Sequence, residues 1–289
     1  MAEIVEAIGV THNPFLPREF RENPDSEPGI RAAYDNFLLM RKKLSRAKPD
    51  VIIVVASDHL NQWFMDNMPP FLIGKAPIAR GPFPHEVRAH KLSEYRVDID
   101  QDVARALLRG GLERGVDFAF SDEFTVDHAF TMPLELIRPE MDIPIVPFFT
   151  NTIALPLPPA RRFYDVGFTL RAIIEDLAAD KRVAVITSGH TSLDVGGPKT
   201  NQSVDPKFDR QMMAAITHGD TEAAVTGASW ERMFAAGNQT PGFLNFILLF
   251  GLARGKPASY TALNPCRYAA SPFMTWEPEV AQYEPLPSR

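Results

Sequence analysis

Three histidines each follow an apolar run with the composition of a buried strand: Ala7-Ile8-Gly9-Val10-Thr11-His12, Val51 through Ser57-Asp58-His59, and Val183 through Ser188-Gly189-His190. Open α/β sheets gather their chemistry at the carboxyl ends of the strands. Imidazoles at several such ends can converge on one crevice, where they bind a metal or move protons near neutral pH. Two neutral imidazoles, His12 and His59, suit Fe(II), Zn(II) or Mn(II). The plainer alternative is that Asp58 and His59 pair at a strand end. His190 lies among small residues that leave room for a ligand and for backbone N–H donors. His128, in Val126-Asp127-His128-Ala129-Phe130, has a neighbouring carboxylate. Both His190 and His128 are candidate acid/base groups. His218 sits where a helix C-cap belongs and suits a charge–dipole role. His85 and His90 fall in a polar loop and are expected to be exposed.

The elements that must hold these side chains can be read from periodicity. Residues 3–10 read as a first strand. Residues 29–47 read as a helix with Ala33, Phe37, Leu38, Met40 and Leu44 on one broad face. Residues 51–56 form a continuous β-branched run, typical of a strand buried on both faces. An irregular segment follows, roughly 60–97, and then a helix over 100–114 ended by Gly115. Short strands are expected at 118–120 and 143–149, the latter at an edge or a strand start because of its prolines. An amphipathic helix over 160–180 leads into a strand at 182–187. Helices are expected at 205–217, at 220–236, and from Pro241 through Leu252. Alternating strands and helices predict a single α/β domain over 1–289 with a central mixed sheet flanked by helices. The motif-bearing core spans about 3–253, followed by a proline-rich aromatic tail from about 256 to 289. No segment matches a glycine-rich phosphate loop.

Composition narrows the function classes. A net charge of −6 without a Lys/Arg cluster argues against nucleic-acid binding. The single cysteine, Cys266, excludes an internal disulfide framework and fits a reducing compartment. No signal segment or membrane-length apolar stretch is apparent, so a cytoplasmic protein is expected. Phe15, Trp63, Phe64, Phe83, Phe130, Phe148 and Phe149 lie near the histidine motifs and are candidates to sandwich an aromatic ring. Arg161-Arg162, at the head of an amphipathic helix, reads as a solvated face rather than a carboxylate clamp.

In this order, the pieces resemble the class III (LigB-type) extradiol ring-cleavage dioxygenases, the family of the protocatechuate 4,5-dioxygenase β subunit. The resemblance covers roughly residues 5–253. It rests on Gly9 through Pro14, Ser57-Asp58-His59, Val126 through Leu134, Ile145-Val146-Pro147 with Asn151-Thr152, and Ala235-Ala236-Gly237-Asn238 before the apolar helix. It implies a LigB-like fold, a small hydroxylated aromatic or heteroaromatic substrate, O2, and non-haem Fe(II) held by two His and one Glu. By motif, His12 and His59 match the two His ligands, and His128 matches a histidine near substrate and oxygen. Thr191 and Ser192 are then candidate substrate contacts. The chain departs from the family twice. Gly242 falls on the position of the glutamate ligand, and Ser192 on that of the catalytic histidine, with His190 two residues earlier. The missing carboxylate leaves four possibilities. Another acid (Glu123, Asp127 or Asp194) moves in, the substrate supplies the third ligand, the pocket serves a non-oxidative hydrolase or lyase step, or the chain is a non-catalytic partner subunit. A homo-oligomer, or a hetero-oligomer with a paralogous subunit, is expected from the family.

Overall fold

Strand residues 51–56 send alternate side chains into two separate cores. Val51, Ile53 and Val55 join one cluster, while Ile52, Val54 and Ala56 join the other. Period-2 alternation buried on both sides is what a central sheet strand requires. The computed structural model describes residues 2–277 apart from 179, 199 and 201. The last residues of the expected tail, 278–289, lie outside the described residues.

In chain order the elements are β1 (Glu3–Thr11), α1 (Leu16–Glu22), α2 (Pro28–Ala47), β2 (Val51–Ser57), β3 (Phe71–Gly74), β4 (Ile78–Gly81) and α3 (Pro84–His90). Next come β5 (Tyr95–Asp98), α4 (Gln101–Glu113), β6 (Ala119–Ser121), α5 (His128–Ile137), β7 (Ile145–Thr150), α6 (Ala160–Glu175) and β8 (Arg182–Gly189). The chain continues through α7 (Pro206–His218), α8 (Thr221–Gly227), α9 (Trp230–Ala235), a 3-10 turn (Thr240–Phe243), α10 (Leu244–Leu252), β9 (Tyr260–Asn264) and β10 (Ser271–Trp276). Eight strands form one mixed sheet in the order β6-β3-β7-β2-β8-β1-β10-β9, and β4-β5 is a separate hairpin. Helices α4, α6, α7 and α10 pack on one face, and α1, α2 and α5 on the other. This is the expected α/β architecture.

The topology decides where the histidines go. Strand β8 lies between β1 and β2 and is parallel to both. Its register sets Thr11 beside Gly189. His12 and His190 therefore leave neighbouring strands abreast, about 4.8 Å apart in the hydrogen-bonding direction. His59 leaves the next strand over.

Several expectations change. Segment 60–97 is not irregular: it holds β3, β4, α3 and β5, whose four-residue strands are too short to show a period. Strand β7 is interior rather than an edge, pairing with β2 and β3. Its Pro147 is tolerated because Ile145 O, two residues earlier, faces away from β2 to accept from Asp100 N. Pro147 therefore faces the same way, where the β3 ladder has ended at Phe148. On α2 the buried stripe is Ile30, Ala33, Phe37, Met40 and Leu44, and Leu38 falls outside it, 39% exposed. A break at Ala228-Ser229 divides the expected 220–236 helix into α8 and α9. Residues beyond 253 do not simply trail the core, because β10 pairs with β1 and β9 extends that edge.

Helix α10, which follows the Gly242 turn, lies unusually close to α6. A Cβ at Gly167 would sit 1.9 Å from Leu248 O, and one at Gly251 would sit 2.0 Å from Tyr164 O. Only glycine permits that approach.

Glu6 on β1 is buried, and its Oε1 has no hydrogen-bond partner. Burial raises its pKa from 4.5 to about 7, against the pull of Lys43 and with the push of Glu277. The folded state therefore keeps a proton that the unfolded chain releases, so stability is full below about pH 4.5 and is lost as pH rises through about 7. The loss is on the order of 3 kcal/mol. Urea unfolding of Glu6→Gln is expected to show that loss abolished between those pH values, with the variant more stable than wild type above pH 7. Parallel pH profiles would refute this reading.

Candidate metal centre

After β1 and β2 the chain turns sharply, each turn fixed by a local carboxylate or amide. Asn13 Oδ1 accepts from Phe15 N at 3.1 Å, and Asn13 Nδ2 donates to Tyr268 O at 3.0 Å. Asp58 accepts from the backbone N–H groups of Asn61, Gln62 and Trp63, each at 3.0 Å. Asp58 thus builds the turn rather than pairing with His59. Burial, then the charge of Asp127, raises its pKa to about 6 despite those donors. Leu60 takes a left-handed conformation (φ 56°), which brings the chain round immediately after His59.

The four expected histidines converge. The His12 ring centroid lies 5.1 Å from that of His59, 4.0 Å from that of His190 and 5.6 Å from that of His128, and His59 stacks on His128 at 4.4 Å. Ligand-capable atoms of His12, His59 and His190 all lie within 4.8 Å of one another.

Hydrogen bonds fix the ring tautomers. Ser188 Oγ donates to Ala129 O at 2.7 Å, so it accepts from His12 Nδ1–H at 2.8 Å. His12 Nε2 then carries a free lone pair, and that atom is buried with no hydrogen-bond partner. His59 Nδ1 donates to Asp127 Oδ2 at 2.8 Å, and His59 N donates to the same oxygen. Asp127 Oδ1 accepts from Ala129 N and caps α5. Through these bonds Asp127 orients His59, and ligand-capable atoms of His59, Asp127 and His128 form a second group within 4.8 Å of one another.

Burial and the neighbouring histidines hold His12 and His190 well below the usual imidazole range. Burial also opposes protonation of His59, but the charge and hydrogen bond of Asp127 outweigh it and raise that pKa. The reciprocal attraction of His59 outweighs burial at Asp127 and lowers its pKa.

The orphaned Nε2 of His12, beside two more imidazoles, fits a divalent metal held by nitrogen. Gly242 lies against His190: a Cβ built there would be in ordinary van der Waals contact, 3.4 Å from His190 N and 3.5 Å from His190 Cδ2.

Beside the histidines opens a cavity of about 470 Å³, lined by His59, His90, His128, His190, Asn13 and Gln239 together with Phe15, Leu60, Ile153, Leu193 and Val195. His90 is thus half-buried at the site rather than a loop residue in solvent, and its ring packs 5.2 Å from that of Phe15. Of the expected aromatic sandwich only Phe15 lines the cavity. Phe130, Phe148 and Phe149 are core residues, and Phe64 is exposed.

Thr191 and Ser192 do not line it. Thr191 Oγ1 donates to Ala270 O, and Ser192 Oγ is bound to Asp209 and Ser203. Of the alternative acids, Glu123 is exposed and Asp194 accepts from Asn238 N at 2.7 Å. Arg161 pairs with Asp165 on a solvated face, as expected.

Two buried residues escaped sequence reasoning. Glu86 accepts from His128 Nδ1 at 2.5 Å and from Phe83 N at 3.0 Å. A Pro at the first turn with a Glu two positions on, Pro84-His85-Glu86, is the helix-start signal that could have drawn attention to it. Asn245 ties α10 to three strand ends through Thr150 Oγ1, Ser57 Oγ and Ser188 O.

Comparison with known proteins identifies the family. The family described as the catalytic LigB subunit of aromatic ring-opening dioxygenase matches residues 6–270. A 2,3-dihydroxyphenylpropionate/2,3-dihydroxicinnamic acid 1,2-dioxygenase of Rhodococcus sp is 32% identical over 236 residues, spanning 81% of this chain and 69% of that protein. One of the same name from Mycobacterium sp. (strain MCS) is 30% identical over 247 residues, spanning 78% and 74%. These relatives carry that name rather than protocatechuate 4,5-dioxygenase. A crystal structure of an uncharacterized protein from Escherichia coli K12 matches 94% of this chain and 99% of its own with a TM-score of 0.62. At 15% identity that likeness is one of fold. Among the described residues no helix is long and apolar enough to cross a membrane.

Asp127→Asn keeps an oxygen for the α5 cap but turns an amide N–H toward His59 Nδ1, which favours the wrong tautomer. Competition of the variant with a chelator for Co(II) or Fe(II) is expected to show a roughly 10- to 100-fold loss of metal affinity, with helix content unchanged. Undiminished affinity would mean that Asp127 does not orient a metal ligand.

Proposed function

The chain belongs to the LigB family of aromatic ring-opening dioxygenases, and from that premise we propose that it cleaves a catechol-type ring next to its diol, using Fe(II) held by His12, His59 and His190. The observation that carries this reading is the buried, unpartnered His12 Nε2 beside two further imidazoles. His190, read from sequence as a displaced base, moves into the ligand set. When bound, the metal supplies a centre at which an adjacent diol and O2 are brought together, both oxygen atoms passing into the ring-opened product.

The protein groups then divide the remaining work. Ser188 and Asp127 hold His12 and His59 with Nε2 free. Glu86 holds His128 by Nδ1, so Nε2 of His128 is the atom available to take a proton from a substrate hydroxyl and return it to the product. Phe15, Leu60, Ile153 and Leu193 exclude water and contact the ring. A cavity of about 470 Å³ falls within the small-molecule range of roughly 300–1,000 Å³. The substrate class, and O2 as co-substrate, follow from the named activity of the relatives.

The ligand and proton roles separate experimentally. Protein loaded anaerobically with Fe(II) is expected to consume O2 with a catechol. His190→Ala should lose stoichiometric iron and activity together. His128→Gln should retain iron while kcat falls by roughly 10²- to 10⁴-fold. Full iron in His190→Ala would remove it from the ligand set, and turnover of the substrate without O2 would favour a non-oxidative reaction on the same fold.

A further inference from the structure

Helix α3 shows two chemically different faces. Glu86 reaches His128, while Arg88, about 200° further round the helix, lines a groove on the other side. That groove has a volume of about 700 Å³ and is walled by α3 and the β4–β5 hairpin. Arg80 from β4 and Arg96 from β5 line it too. These two arginines stand directly opposite each other in the antiparallel register, a like-charge pairing that is unfavourable when nothing lies between. Among the described residues none of the three guanidinium groups has a hydrogen-bond or ion-pair partner. Elsewhere the chain commonly pairs its arginines with carboxylates, as at Arg31, Arg138, Arg171 and Arg182. Glu94 also lines the groove and pairs with none of them.

Tyr95, 3% exposed as a residue, lines the groove as well. The remaining wall is largely apolar, with Pro82, Pro84, Val87 and Met141 beside Thr125. Convergent guanidinium forks match a carboxylate, and the apolar wall matches a planar hydrocarbon body.

We propose that this groove is a second small-molecule site, separate from the histidine cavity, that binds an aromatic carboxylate. The carboxylate lies between Arg80, Arg88 and Arg96, and the ring lies against Pro82, Val87 and Met141. The site does not depend on the metal or on the ring-cleavage reaction.

Calorimetric titration of the full chain with benzoate, inorganic phosphate and benzyl alcohol tests it. Benzoate is expected to bind saturably, with phosphate and benzyl alcohol at least tenfold weaker. Arg88→Gln, and separately Arg80→Gln with Arg96→Gln, should each weaken benzoate at least tenfold. The double variant should unfold at an equal or higher temperature, because it removes the Arg80–Arg96 repulsion, so lost binding is not lost folding. Benzoate binding that survives the arginine changes but disappears in His128→Gln would place the anion in the histidine cavity and overturn the proposal. So would phosphate binding as tight as benzoate, or no benzoate binding at all.

Discussion

A buried imidazole nitrogen without a partner is costly, on the order of 1–3 kcal/mol for a polar group of this kind. Here Nε2 of His12 is such an atom, and the surrounding structure holds it unpaired rather than relieving it. Ser188 occupies the opposite nitrogen, and Ser188 is itself anchored on Ala129 O. The strand order β2-β8-β1 then delivers two further imidazoles to the same point. Asn245 fastens those strand ends to α10, and close glycine contacts seat α10 against α6. Much of the fold on this side of the sheet is therefore arranged around one electron-pair donor positioned so that it could bind a metal.

The proposed donor set would differ in charge from the one the family resemblance implied. Two histidines and a glutamate bring one negative charge to a dication, whereas three neutral imidazoles bring none. The nearest carboxylates, Asp127 and Glu86, stand one hydrogen bond behind His59 and His128. In the proposed site they would temper the field of a bound metal, and more of its charge would be left for an anionic diol oxygen to neutralise. Gly242 and His190 are neighbours in van der Waals contact at the end of β8.

The sequence showed the strand-end histidines clearly, because an apolar β-branched run followed by a polar turn is a local signal. It also raised the expectation of two departures from the family pattern, Gly242 and the shifted His190. It did not show that these two positions lie against each other. That depends on the 3-10 turn Thr240–Phe243 lying against the end of β8, a contact between segments about 50 residues apart. Glu86 and His90 were hidden for a different reason. They sit on the seven-residue helix α3, too short for periodicity to mark, within a stretch that reads as loop. The expected aromatic sandwich failed because Phe130, Phe148 and Phe149 lie close to the motifs in sequence but point into the two cores.

The central claim is that three imidazoles, and no protein carboxylate, hold the metal. A crystal structure of the chain loaded with Fe(II) or Co(II) without oxygen tests it most directly. The expected result is an anomalous peak about 2.1 Å from one ring nitrogen each of His12, His59 and His190, with no protein carboxylate oxygen at that distance. A metal bound by His12 and His59 with His190 turned away, or one completed by a carboxylate such as Asp127, would contradict the account.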